Sequence, residues 1–197
     1  MNQKIDCFIS FCGKLETQHT ISQLKFSELV QSIFVLSNKN IEMEGAETLL
    51  VNHPNATKSI ELIARKATAG FVMVATQPSS LGLGQFAMER MLQLAESSQA
   101  SMLYADYFEL TVGVRSNHPV IDYQQGSLRD DFNFGPVQLF RREVLEKFVS
   151  EKHPNYQHAG FYSLRLLASR MGGIIRVPEF LFSMTETDTR QSGRKAV

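Results

Sequence analysis

The chain has 197 residues, and its 20 Lys and Arg residues balance 20 Asp and Glu residues, so the formal net charge is zero. A neutral surface gives no overall field that favours nucleic acid or an anionic membrane, so neither is an expected partner. Hydrophobic residues make up 43% of the sequence, as in an ordinary globular protein, and the length suits one compact domain.

The first half of the sequence alternates short apolar runs with amphipathic stretches. The predicted strands are 5–11, 32–36, 47–51, 71–75 and 101–108, and the predicted helices are 15–30, 59–67 and 83–97. This alternation predicts an α/β fold with a parallel sheet and right-handed crossovers. Ligands of such sheets bind at the carboxyl ends of the strands, where we expect the functional site.

The second half is less regular. It contains predicted strands at 137–140 and 174–177 and predicted helices at 141–148 and 161–170. We expect residues 1–185 to form a single domain, followed by a polar tail, 186–197, that is either flexible or leads into a further module.

The cysteines and the lengths of the apolar runs indicate the cellular compartment in which the protein is expected. Cys7 and Cys12 both lie in or near the first apolar run and are expected to be reduced core residues rather than a disulfide. No run reaches the ~20 residues of a membrane span, and the start of the chain does not resemble a signal peptide. We therefore expect a cytoplasmic protein, which would reach a membrane only peripherally.

The segment GSLRDDFNFG, residues 126–135, places charged residues among aromatic rings and glycines. Asp130 and Asp131 are a carboxylate pair of the kind that holds Mg²⁺ or Mn²⁺ or acts as a general base. Arg129 can bind a phosphate through two parallel hydrogen bonds. An internal Arg–Asp salt bridge in a turn explains the same residues equally well, so both interpretations stay open. The sequence has no dinucleotide fingerprint, no phosphate-binding P-loop and no zinc motif.

Several stretches, taken in order, carry a resemblance to a known family. They are 5–17 (IDCFISFCGKLET), 32–40 (SIFVLSNKN), 71–110, 134–148 (FGPVQLFRREVLEKF) and 163–184 (SLRLLASRMGGIIRVPEFLFSM). Together they resemble the family 2 glycosyltransferases of GT-A fold. Three shorter stretches, YADYFE, IDYQQGSLRDDFNFGP and TDTRQSG, resemble a branch from Bacteroides-type bacteria. The resemblance implies a Rossmann-like, mixed but mainly parallel sheet flanked by helices.

The resemblance also implies a reaction. Such an enzyme transfers a sugar, in the hexosyl class, from a nucleotide-sugar donor to a glycan or lipid-linked acceptor, here expected with inversion and in surface polysaccharide synthesis. Family members hold Mg²⁺ or Mn²⁺ with an Asp-x-Asp motif after the fourth strand, but this sequence has Ala75, Thr76 and Gln77 there. The family's acid after the second strand and its catalytic acid before the closing helix are also replaced, by Ser37–Asn38 and by 159–161 (AGF).

Site residues follow from the resemblance and from the remaining charged groups. The expected donor-binding residues are Ser10, Phe11, Cys12, Ser37, Thr76, Gln77, Asp106, Arg129 and Arg190. Arg129 and Arg190 would neutralise the diphosphate in place of a metal. Asp131, with Asp130, is the candidate general base or metal ligand. A capping or structural role explains Asp106 equally well.

Two other classes of protein stay open. The vacant acidic positions suit a catalytically inactive domain of the same fold that binds a nucleotide or a partner. A nucleotidyltransferase on a similar scaffold would need a glycine-rich loop with a basic residue after the first strand, and Gly13–Lys14 is a poor match to that loop.

Overall fold

The computed structural model describes residues 4–129 and 132–185. The strands are β1 (Ile5–Ser10), β2 (Val30–Ser37), β3 (Glu47–Leu50), β4 (Phe71–Ala75), β5 (Leu81–Leu83), β6 (Met102–Thr111), β7 (Val114–His118), β8 (Gln138–Arg141) and β9 (Ile174–Thr185). The helices are α1 (Lys14–Lys25), α2 (Thr57–Lys66), α3 (Ala87–Ser98), α4 (Arg142–Ser150) and α5 (Gly160–Met171). Within these ranges, no helix is long and apolar enough to cross a membrane.

All the strands belong to one mixed sheet. Its order is β3-β2-β1-β4-β8-β6-β9-β5, with β7 paired to β6. The run β3-β2-β1-β4 is parallel, as is the β6–β9 pair, whereas β4–β8, β6–β8, β6–β7 and β5–β9 are antiparallel. The predicted fold class, a mixed sheet flanked by helices, is therefore confirmed. The prediction of parallel pairing is right for the first four predicted strands. The fifth, which is β6, is parallel only to β9 and antiparallel to β7 and β8.

The region before α3 differs from the sequence prediction. A helix was expected to begin at Leu83, but Leu81 and Leu83 pair with Met184 and Phe182 in β9, so they form the short strand β5. The helix begins only after Phe86, whose backbone is left-handed with φ of 58°. Apolar periodicity cannot detect this, because the pairing partner lies about a hundred residues further along the chain.

The β7 strand was also missed. It forms a hairpin with β6 through a tight turn at Val112 and Gly113, which both have positive φ, 49° and 79°. Positive φ at both central residues is typical of a type I′ turn, but such turns normally carry Asn or Asp at the first position. A valine there hides the turn from sequence analysis.

The buried core lies between the sheet and the helices. In the parallel half, Phe8 and Phe34 stack with ring centroids 4.7 Å apart. In the other half, Tyr104 and Phe134 meet edge to face at 4.9 Å. Tyr104 donates its hydroxyl proton to the carbonyl of Ile121 at 2.7 Å, which attaches the segment after β7 to the sheet.

The buried carboxylate of Asp6 closes the opposite end of the parallel sheet. Its Oδ2 accepts the backbone N–H groups of Thr68 and Ala69 at 2.7 and 2.8 Å. These bonds satisfy two amides of the turn that leads from α2 into β4, and the amide of Ala69 would otherwise be buried without a partner. Asp6 therefore has a structural role. It lies at the start of β1, away from the carboxyl ends of the strands, where the functional site is expected.

Candidate functional site

The carboxyl ends of β1, β2 and β4 lie side by side in the sheet and frame a cleft of about 390 Å³. The predicted residues Ser10, Phe11, Ser37, Thr76 and Gln77 all line this cleft. They meet because adjacent parallel strands end at the same edge of a sheet. The other wall is the turn after β3, residues 51–55. The volume is within the range of ordinary small-molecule sites.

Hydrogen bonds between the strand ends fix the shape of the cleft. The Ser10 hydroxyl donates to the carbonyl of Thr76 at 2.9 Å, and this bond ties β1 to the end of β4. The N–H of Phe11 donates to the carbonyl of Leu36 at 3.0 Å. On the other side, the N–H of Val51 donates to the carbonyl of Ser37 at 2.8 Å. The cleft is thus built on rigid strand ends rather than on a long loop.

The described side chains that line the cleft are polar, aromatic or aliphatic, the aliphatic ones being Leu36, Val51, Pro54 and Pro78, and none of them is a carboxylate, lysine or arginine. Hydroxyl and amide groups come from Ser10, Ser37, Asn38 and Gln77, and Phe11 contributes a half-buried ring. This lining suits a flat, neutral ligand with several hydrogen-bonding atoms, because it offers stacking and hydrogen bonds but no counter-charge.

The imidazole of His53 belongs to the same wall. Burial, and then the charge of nearby His158, lowers the pKa of His53 below its usual value. The two rings meet edge to face with centroids 4.3 Å apart. The His53 Nδ1 accepts the N–H of Asn55 at 3.2 Å, a bond that requires an unprotonated Nδ1. His53 therefore contributes to the cleft as a neutral ring, and it also borders a second cleft of about 520 Å³ towards His158.

The position of the expected metal motif, at the end of β4, carries Ala75, Thr76, Gln77 and Pro78. A divalent cation such as Mg²⁺ is held mainly by carboxylate oxygens, so these residues do not fit that ion. Across residues 4–129 and 132–185, no group of three or more His, Cys, Asp and Glu side chains is arranged to hold a metal ion.

Asp106 is committed to a buried ion pair rather than to the cleft. Its two oxygens accept Nε and one terminal nitrogen of Arg176 at 2.8 and 2.7 Å. Oδ1 also accepts the N–H of Val120 at 3.0 Å, and the side chain is buried. These hydrogen bonds to Asp106 raise the pKa of Arg176 above its already high value. Asp106 is not among the residues that line the cleft.

Cys12 is also outside the lining of the cleft. Its N–H donates to the hydroxyl of Thr17 at 3.1 Å, and its sulfur lies 3.6 Å from the same oxygen. Burial raises the pKa of the Cys12 thiol, which keeps it protonated at neutral pH. Cys12 therefore helps to start α1, and its geometry gives no support to a nucleophilic role.

The remaining predicted residues belong to the other half of the site. Arg129 is described and exposed, and its carbonyl accepts the N–H of Phe132 at 3.3 Å. Asp130, Asp131 and Arg190 lie outside the described residues. Their assignments as base, metal ligand or phosphate-binding group stay predictions.

Sequence analysis overlooked Arg165, which lies on the inner side of α5. Its Nε donates to Oε1 of Gln138 at 2.9 Å, and its guanidinium lies 4.9 Å from the ring centroid of Phe134. Burial lowers the pKa of Arg165 to about 10. The sequence did contain a signal for this position. Arg165 follows the buried Phe161 by four residues and therefore lies on the same apolar face of the helix.

No family model matches the sequence, and no curated protein matches it. The fold is similar to that of Staphylococcus aureus TarS residues 1–349, a glycosyltransferase of GT-A fold. The TarS crystal structure gives a TM-score of 0.66 at 8% identity and covers 92% of this chain and 60% of that one. The TarS complex with UDP gives a TM-score of 0.67 at 8% identity and covers 93% of this chain and 61% of that one. The TarS complex with UDP-GlcNAc gives a TM-score of 0.65 at 9% identity and covers 98% of this chain and 62% of that one. The chain thus has a GT-A-like fold and spans about three fifths of the TarS chains.

Proposed function

We propose that the protein is a glycosyltransferase that moves a sugar from a nucleotide-sugar donor to a glycan or lipid-linked acceptor. The observation that carries this proposal is the neutral cleft at the carboxyl ends of β1, β2 and β4, which lies in a fold similar to that of a protein crystallised with UDP and UDP-GlcNAc. We further propose that the reaction is a hexosyl transfer with inversion and that the protein belongs to a Bacteroides-type branch of family 2. It would act in the cytoplasm in the synthesis of surface polysaccharide.

The nucleoside of the donor fits the chemistry of the cleft. A base is a flat, neutral ring with donors and acceptors on its edge, and the Phe11 ring and the amides of Asn38 and Asn52 provide partners of that kind. Ser37 and Thr76 place hydroxyl groups at the strand ends, where a ribose would follow. We leave Cys12 and Asp106 out of this donor site, because neither borders the cleft.

The base and the charge-neutralising groups are proposed from the sequence alone. Asp131, with Asp130, would accept the proton of the acceptor hydroxyl or hold Mg²⁺ or Mn²⁺, and Arg129 and Arg190 would face the diphosphate. With Asp131 as the base, the Asp131→Asn variant should lower kcat by about a hundredfold or more, the usual contribution of a general base, and leave donor affinity unchanged. With Asp131 as a metal ligand, the variant should also lose donor affinity. Turnover at the wild-type rate would eliminate this base assignment.

A second function is favoured by one observation. Neither residues 75–78 at the end of β4 nor residues 159–161 at the start of α5 include an acid, and both segments are among those the structure describes. A domain that binds the nucleotide or a partner without catalysis would need no acid at either position. Such a domain would bind the donor but would neither transfer its sugar nor hydrolyse it. The enzyme would transfer the sugar to an acceptor, or at least release UDP slowly by hydrolysis of the donor.

Calorimetric titration with UDP, GDP and TDP and their sugar derivatives, with and without Mn²⁺, tests the proposed donor site. We expect one nucleotide class to bind, and we expect the Gln77→Trp variant to weaken that binding by at least about tenfold. Gln77 is exposed at the cleft, so an indole there would occupy the space of the base without disturbing the core.

The matched control is Gln93→Trp, which places the same indole on the exposed face of α3. This variant should bind like the wild type. The proposed function is wrong if the wild type binds none of the nucleotides, and the location of the site is wrong if Gln77→Trp binds as tightly as Gln93→Trp.

A further inference from the structure

Arg165 is a partly buried cation without a counter-charge in the structure. Across residues 4–129 and 132–185, no carboxylate lies within ion-pair distance of its guanidinium. Its contacts are the amide oxygen of Gln138 and the face of the Phe134 ring. A buried charge is normally paired, because removal from water without a partner costs free energy. An arginine in this state is suited to bind an anion that the described residues do not supply.

The guanidinium is also open to such an anion. It carries several N–H donors, and only Nε has an acceptor among the described residues, at Gln138. Neither terminal nitrogen is among the fully buried side-chain atoms that have no partner, so neither is completely shielded from solvent. The Nε bond to Gln138 and the contact with Phe134 hold the planar group in place, while the two terminal nitrogens remain available.

Two structural connections link Arg165 to the cleft, one through β8 and β4 and one through the start of α5. Gln138 pairs with Val74 in β4, and Thr76, which lines the cleft, follows two residues later. Helix α5 begins where the N–H of Gly160 donates to the carbonyl of Asn55, another residue of the cleft, at 2.9 Å. Arg165 stands five residues further along this helix, a rise of about 7.5 Å.

We propose that Arg165 binds the diphosphate of the donor, with its terminal nitrogens hydrogen-bonded to phosphate oxygens. This inference rests on the proposed function, because it takes the nucleoside to lie in the cleft and the diphosphate to extend from it past the end of β4. A guanidinium suits this task, since its planar fork matches two phosphate oxygens at once. It would also supply positive charge in place of a metal ion, which residues 75–78 have no carboxylate to hold.

The charge is useful in the transfer itself. As the bond between the sugar C1 and the β-phosphate oxygen breaks, its electron pair goes to that oxygen and the diphosphate gains negative charge. The acceptor oxygen forms the new bond to C1, and its proton passes to the general base. Arg165 stabilises the leaving diphosphate, an interaction that strengthens as the reaction proceeds.

The test compares UDP with uridine, which lacks the phosphates, in calorimetric titrations of the wild type and of Arg165→Met. We expect the variant to lose UDP affinity by at least about tenfold and to keep uridine affinity within about twofold. Arg165→Lys should lose less than Arg165→Met, because a lysine keeps the charge but not the fork. Arg170→Met, at an exposed position on the same helix, is the matched control and should bind UDP like the wild type.

The outcomes separate this inference from the proposed function. A wild type that binds neither UDP nor uridine would refute both. A wild type that binds UDP, together with an Arg165→Met variant that binds it equally well, would refute the role of Arg165 alone. Equal losses for UDP and uridine would show a purely structural role for Arg165 and would also overturn the inference. If Arg165→Met does not fold, the polar but uncharged Arg165→Gln replaces it in the same comparison.

Discussion

The two halves of the sheet carry very different chemistry. The parallel half, β3-β2-β1-β4, ends in a cleft lined by hydroxyls, amides, aliphatic groups, the Phe11 ring and one neutral imidazole, and none of its described lining side chains is charged. The half built on β8, β6 and β9 holds the buried pair Asp106–Arg176, and Arg165, which no carboxylate of residues 4–129 and 132–185 reaches, packs against it. Under the proposed function, the neutral cleft of one half would recognise the nucleoside, and the other half would hold the charged groups.

The largest expected effect concerns the charged half. The Asp106→Asn variant leaves the guanidinium of Arg176 without its buried counter-charge, so the free energy of unfolding should fall by about 3 kcal/mol. Urea denaturation of the variant and the wild type measures this change. Nucleotide affinity of the folded variant should stay unchanged, because Asp106 does not line the cleft. A stable variant that loses donor binding would instead support the donor-binding role expected from the sequence.

The control for this variant is Asp122→Asn. Asp122 contacts the same guanidinium at 3.2 Å, but its side chain is 76% exposed, so its removal should cost less than about 1 kcal/mol. Similar losses for the two variants would show that burial does not distinguish these two contacts.

The smallest expected effect is a gain of stability in the β6–β7 hairpin. Val112 is 98% exposed and has a left-handed backbone, which disfavours a β-branched residue. The Val112→Asn variant should raise the free energy of unfolding by about 1 kcal/mol, because asparagine suits the first position of a type I′ turn. Val114→Asn, in the adjoining strand, should instead lower it by about 0.5 kcal/mol. An unchanged or lower stability of Val112→Asn, by the same urea titration, would argue against the turn.

The two halves also differ in how far the sequence predicts them. In the parallel half, each strand is a short apolar run bounded by turn residues, and the bounds of β4 agree with the prediction at both ends. Adjacent parallel strands end at one edge, so order alone brings Ser10, Ser37 and Thr76 together. In the other half, β5 exists only because β9 pairs with it. No local pattern carries that information.

Asp106 illustrates the same limit for the site. The sequence analysis predicted Asp106 to lie near the end of a strand that ends at Phe108. In the structure, β6 continues to Thr111, because β7 and β9 pair along its whole second part. Asp106 is consequently inside the sheet, where burial requires a counter-charge, and Arg176 provides it from 70 residues away. The missed Arg165 depends likewise on packing, since only the fold shows that no carboxylate of the described segments reaches it.

The central claim is that the neutral cleft of the parallel half binds the nucleoside of the donor. An NMR titration of the ¹⁵N-labelled protein with UDP tests it most directly, with amide shifts followed residue by residue. The account predicts saturable shifts at Phe11, Asn38 and Gln77, accompanied by a shift of the side-chain Nε–H of Arg165. Saturable shifts confined to the β6–β7 hairpin, or no saturable shift at any amide, would contradict it.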